Sequence, residues 1–169
     1  RLSVQKGHKY LIDAMPSVLE KYPNTLLYII GDGKLCNSLS TQIENLGLQN
    51  SIKLLGVRSD VFKILRASDI FIMPSLWEGL PVALLEAMLM ECPIIISDVE
   101  GIDDVLTHNE NGLITPLKDV AILSKSILYL MENKIIQNEL GIKAREHILE
   151  NFSEDEMCKQ YEEVFFDLA

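Results

Sequence analysis

Two glutamates, Glu78 and Glu86, stand at either end of the segment Glu78-Gly79-Leu80-Pro81-Val82-Ala83-Leu84-Leu85-Glu86, with seven residues between them. The segment crosses a strand-to-helix junction. Pro81 suits the first position of a helix, where a missing N–H costs nothing, and Gly79 lets a ligand approach the backbone closely. Free N–H groups at a helix start attract anions, so the junction is a site for a phosphate or a sugar oxygen. The helix predicted over Pro81–Glu91 is apolar almost all round, the pattern of a buried helix. A carboxylate inside it needs partners. A vicinal diol such as a ribose offers two hydroxyl donors to the two oxygens of Glu86. The competing reading pairs Glu86 with a structural Arg or Lys and leaves Glu78 a solvated loop residue.

Read as the acid and nucleophile of glycoside hydrolysis, the pair is too widely spaced. Eight residues of helix rise about 12 Å, whereas retaining hydrolases hold their carboxyls about 5 Å apart. The two glutamates therefore serve different parts of one extended ligand. No D-x-D metal motif occurs. Gly31-Asp32-Gly33 follows a strand, but Cys36 stands where a dinucleotide fingerprint has glycine, which counts against a nicotinamide dehydrogenase. His8 reads as a helix-cap residue and Trp77 as a packing wall.

The elements that must position these residues alternate. Short apolar runs at Leu26–Ile30, Ile52–Leu55, Ile70–Met73 and Ile94–Ile96 read as strands buried on both faces, as in parallel sheets. Helical patterns lie between them at His8–Tyr22, Leu35–Leu46, Val61–Ala67, Pro81–Glu91 and Ile102–Thr107, followed by a helical tail from Lys118 to the C-terminus. Alternation of this kind means an α/β fold with a doubly wound parallel sheet, whose ligands bind beyond the carboxyl ends of the strands. Arg1–Gly7 reads as a strand-to-helix loop with no strand before it, so a first strand and a further domain are expected upstream.

With 169 residues, 48% of them hydrophobic, the chain is one folded domain. Its 15 basic and 25 acidic side chains give a net charge of -10, which opposes binding to nucleic acid or to an anionic membrane face. An anionic ligand must meet a local cationic pocket. Cys36, Cys92 and Cys158 are odd in number and far apart, the usage of a reducing compartment. The longest apolar stretch, Leu80–Met90, is too short to span a bilayer, and a cytoplasmic location is expected.

Arg1–Gly7 (R-L-S-V-Q-K-G), the Ile30-Gly31-Asp32-Gly33 turn, Ser68–Ser75 (S-D-I-F-I-M-P-S) and the E-x7-E segment followed by Ala87-Met88 resemble, in this order, the donor-binding domain of retaining glycosyltransferases of the GT-B fold, family 4. The resemblance implies a Rossmann-like domain over residues 1–169 that binds a nucleotide sugar as substrate, without metal or other cofactor. It implies transfer of a hexose in polysaccharide biosynthesis to a glycan or glycolipid acceptor, held by an N-terminal domain that could also touch a membrane. Alone, the chain is expected to transfer no sugar. Carried over by position, Arg1 and Lys6 hold the diphosphate, Glu78 meets the donor sugar's hydroxyls, and the Gly79 and Leu80 amides lie beside the sugar phosphate. Glu86 takes the ribose, while Gly31, Gly33 and Arg58 line the nucleotide site. Glu100-Gly101-Ile102 stands where the family has a Gly-Gly pair before Ile. The alternative is a non-catalytic nucleotide-binding domain of the same fold.

Overall fold

The computed structural model describes residues 1–79 and 81–152. In chain order they form a 3-10 turn at Val4–Lys6, α1 (His8–Lys21), β1 (Leu27–Ile30), α2 (Cys36–Asn45), β2 (Ile52–Gly56), α3 (Val61–Ala67), β3 (Phe71–Met73) and α4 (Val82–Leu89). β4 (Ile94–Ser97), a second 3-10 turn at Ile102–Asp104, β5 (Leu113–Thr115), α5 (Val120–Glu132) and α6 (Lys134–Asn151) follow.

Among the described residues the strand pairs β1–β2, β3–β4 and β4–β5 are parallel. β1 pairs with β2 from Leu27 opposite Ile52 to Ile30 opposite Gly56, with an irregularity between Ile29 and Ile30. β4 lies between β3 and β5, with Phe71 opposite Ile94 and Ile95 opposite Leu113. The strands thus form two parallel sheets, β1-β2 and β3-β4-β5, rather than the single sheet expected, because β1 and β3 share no ladder. One core still runs under both, since Ile29 and Ile52 belong to the same buried cluster as Ile95 and Leu113.

β4 shows why its sequence is a plain apolar run. Successive side chains of a strand point to opposite faces. Ile95 enters the cluster of α1, α2 and α5, while Ile94 and Ile96 enter the cluster with Leu84 and Met88 of α4 and Ala144 and Ile148 of α6. All three isoleucines are fully buried, each contributing about 1.5–3 kcal/mol. α1 turns Leu11, Ile12, Ala14, Met15 and Val18 inward, the spacing of one helix face, and packs on α5.

Several elements depart from the sequence reading. The helix expected over Ile102–Thr107 is only the 3-10 turn Ile102–Asp104, although Ile102, Val105 and Leu106 are all buried. The turn that follows delivers β5, which the sequence reading did not find; the His108 ring accepts the Ile114 N–H there at 2.9 Å. The described part of the helical tail is two helices. Lys118, at φ +63°, lies outside them, Asp119 caps α5 by accepting the Ile122 N–H at 2.8 Å, and Asn133 breaks the helical dihedrals between α5 and α6. The end of the tail, with Cys158, and the amide of Leu80 lie outside the described residues.

Candidate functional site

The first seven residues cross the carboxyl ends of both sheets and tie them together. At one end the Leu2 N–H donates to the Asp32 carbonyl at 2.8 Å and the Leu35 N–H to the Leu2 carbonyl at 3.2 Å, which sets Arg1 beside the turn after β1. A Cβ on Gly33 would lie 2.3 Å from the Leu2 carbonyl oxygen, so that position must be glycine. The same turn reaches β2 through the Gly31 N–H, which donates to the Gly56 carbonyl at 2.8 Å, just before the loop that carries Arg58.

At the other end Gly7 adopts φ +61° as the cap of α1, and a Cβ there would lie 1.9 Å from the Pro74 carbonyl oxygen. This contact brings Arg1–Gly7 onto the loop after β3. The Leu76 N–H donates to the Gln5 carbonyl at 2.7 Å, and the Gln5 carboxamide donates to the Trp77 carbonyl at 3.0 Å and to Glu78 Oε2 at 3.4 Å. Lys6 Nζ donates to Glu78 Oε1 at 2.6 Å. The Glu78 side chain is only 6% exposed against 26% for Lys6, so a solvated loop glutamate is excluded. Each Glu78 oxygen keeps a lone pair, leaving two acceptors for two hydroxyl donors.

α4 is not the buried helix its composition suggests. Leu84, Ala87 and Met88 face the core, whereas Val82 and Ala83 are exposed and Glu86, one turn beyond them, is half-buried on the same outer face. A helix apolar all round is buried only where something covers its outer face, and no described element covers that of α4. Glu86 makes no salt bridge or side-chain hydrogen bond among the described residues, so no structural Arg or Lys claims it there. Pro81 is the cap rather than the first helical residue, with its carbonyl accepting the Leu84 N–H at 2.8 Å and no side chain capping the first turn. A Cβ on Gly79 would meet nothing within 4 Å, which leaves that backbone open to approach.

The structure thus brings together Lys6 with Glu78, and Arg1 with Gly31 and Gly33. Arg58 stands apart. It makes a two-pronged contact with Asp60, Nε to Oδ1 and Nη2 to Oδ2 both at 2.8 Å, and this hydrogen bonding holds the Asp60 carboxyl below its ordinary pKa. Glu100 is exposed after β4. His8 opens α1 but is not its cap. Burial above all, with the charge of Lys6 nearby, lowers its pKa, so its ring is neutral at neutral pH. Trp77 is 54% exposed, and so is no packing wall. Cys92 is an inert core thiol that donates to the Leu65 carbonyl at 3.0 Å and whose pKa burial pushes up to about 11. Sequence reasoning missed Gln5, since nothing in its own neighbourhood points to partners more than seventy positions away.

Comparison with known families then decides the class. Residues 1–147 match the family described as "Glycosyl transferases group 1". The chain belongs to this family. It is 30% identical over 172 residues to the UDP-Gal:alpha-D-GlcNAc-diphosphoundecaprenol alpha-1,3-galactosyltransferase of Escherichia coli, covering 100% of this chain and 44% of that protein. The chain therefore spans less than half the length of that relative. Among solved structures, a TarM variant of S. aureus in complex with fondaparinux, alpha-GlcNAc-glycerol and UDP aligns with TM-score 0.92 at 26% identity, over 98% of this chain and 34% of that one. HepE of Anabaena in complex with UDP-glucose aligns with TM-score 0.89 at 26% identity, over 99% of this chain and 47% of that one. These neighbours are GT-B glycosyltransferases, and the group 1 domain has the Rossmann-like α/β fold of a GT-B half, as its sequence led us to expect.

Proposed function

We propose that this domain binds a nucleoside diphosphate sugar and forms the donor-binding half of a retaining, metal-independent glycosyltransferase. That enzyme moves a hexose to a glycan or glycolipid acceptor held by a second domain. The observation that carries the reading is the Lys6–Glu78 pair at the carboxyl ends of the strands, with α4 starting uncapped beside it. Lys6 and Arg1 are suited to offset the diphosphate as its leaving-group charge grows, the task a divalent cation performs in other transferases. Glu78 accepts the sugar hydroxyls, and Glu86, on the open face of α4, accepts the ribose hydroxyls. UDP is bound by TarM and HepE, and UDP-Gal is the donor named for the E. coli relative, which favours uridine over guanosine.

Retention requires attack from the face that the diphosphate leaves. In that reading the acceptor oxygen bonds to the anomeric carbon as its bond to the phosphate oxygen breaks, and the acceptor proton passes to the departing phosphate. No protein carboxylate takes part as a base. A cytoplasmic location fits the free thiols of Cys36 and Cys92. Among the described residues no helix is long and apolar enough to cross a membrane.

Titration calorimetry of the full-length protein against UDP-, GDP- and ADP-sugars, with and without EDTA, tests this reading. Binding of a UDP-sugar that EDTA leaves unchanged is expected. Affinity that appears only with added divalent metal would overturn the metal-independent site, and binding of none of the sugars would overturn the donor site itself.

A further inference from the structure

Gln5 contacts three consecutive residues of the loop after β3. Its carbonyl accepts from Leu76, while its carboxamide donates to the Trp77 carbonyl and to Glu78 Oε2. Lys6 takes the other oxygen of the same carboxylate. Glu78 is thus held by two consecutive side chains, one neutral and one cationic. Their duties differ when a donor is present. The donor-site reading above sends Lys6 toward the diphosphate, whose negative charge competes with Glu78 for the ammonium. The carboxamide carries no net charge and has no such competitor.

We propose that Gln5 is a positioning residue: its carboxamide holds the Glu78 carboxylate and the Trp77–Glu78 backbone in place when Lys6 turns to the donor diphosphate. The inference rests on the donor-site reading and assigns a task that the reading leaves open. Residue type matters here. A Lys at this position would compete for the phosphates, and a Glu would set a second carboxylate against Glu78.

The test uses the full-length protein and the nucleotide sugar from the calorimetric panel that it turns over. Gln5→Glu keeps the shape of the side chain but, once ionised, donates no hydrogen bond, while Gln5→Ala removes the side chain. Both are expected to lower kcat roughly tenfold or more, the worth of a hydrogen bond to a charged group, with the Kd of free UDP unchanged. For Gln5→Glu the loss should deepen as pH rises, because the introduced carboxyl can donate to Glu78 only while protonated. In a Glu78→Ala background the loss from either substitution should be much smaller, with only the contact to the Trp77 carbonyl left to lose. Wild-type kcat and pH profile for Gln5→Glu, beside an impaired Glu78→Ala, would overturn the proposal, as would an undiminished Gln5 effect in the Glu78→Ala background. If Glu78→Ala and Lys6→Ala both turn over donor normally, the donor-site reading itself fails.

Discussion

Glu78→Ala in the full-length protein is expected to lower kcat for sugar transfer by about 100-fold or more, the usual loss when a fixed electrostatic partner of the transition state is removed. The expectation follows from where Glu78 sits. Its carboxylate is almost excluded from water and is anchored by Lys6 and Gln5, so its orientation is set before any ligand arrives. Charge fixed in advance interacts most strongly with charge that develops later, here the positive character at the anomeric carbon. Binding of the free nucleotide should hardly change, because the nucleotide does not carry the sugar that Glu78 meets. Steady-state kinetics of the variant check this, and a raised KM with kcat intact would show that Glu78 binds ground and transition states equally.

Gly7→Ala should be the most damaging single methyl in the described residues for folding as well as for donor use. At φ +61° an alanine costs about 1–2 kcal/mol in backbone strain. Its Cβ would also lie 1.9 Å from the Pro74 carbonyl oxygen, a backbone atom that cannot rotate away. Relieving that overlap moves either the 3-10 turn with Gln5 and Lys6 or the loop with Glu78. The total should reach roughly 3–5 kcal/mol, a large part of what holds a domain of this size folded. Gly79→Ala is the control, since its added methyl meets nothing within 4 Å. Urea denaturation of the two variants should show a large drop in midpoint for Gly7→Ala and little change for Gly79→Ala. A Gly7→Ala protein within about 1 kcal/mol of the parent would mean that the contact between Arg1–Gly7 and the β3 loop is loose.

Elements whose signal is local were legible in the sequence. β4 reads as a strand because both of its faces are buried, and α3 occupies the predicted span, Val61–Ala67. β5 was not legible, because Leu113–Thr115 is three residues long and owes its extended form to pairing with Ile95–Ser97. The spacing of Ile102, Val105 and Leu106 matches a helix face, yet in the structure these buried side chains belong to a 3-10 turn and the chain after it, because the same spacing also serves a short turn packed on the core. α4 misled for a different reason. Composition reports how apolar a helix is, not whether anything covers its outer face. In the candidate site, the spacing of the two glutamates pointed to a loop and the helix after it, and Glu78 lies on the loop after β3 and Glu86 on α4. The Lys6–Glu78 pairing and the place of Gln5 depend on contacts across more than seventy positions, which no local pattern encodes.

In the proposed donor site one nucleotide sugar lies across this domain with its nucleotide at Glu86 and its sugar at Glu78. The most direct measurement is the Kd of free UDP for Glu86→Ala and Glu78→Ala, taken side by side by titration calorimetry on the full-length protein. Glu86 sits on the open face of α4 with Val82 and Ala83, where hydrogen bonds from a ribose would be made to a charged group. Losing them should cost roughly 1.5–3 kcal/mol, a tenfold to hundredfold weaker Kd, while Glu78→Ala binds UDP like the parent. Weakened UDP binding by Glu78→Ala together with an unchanged Kd for Glu86→Ala would contradict the account.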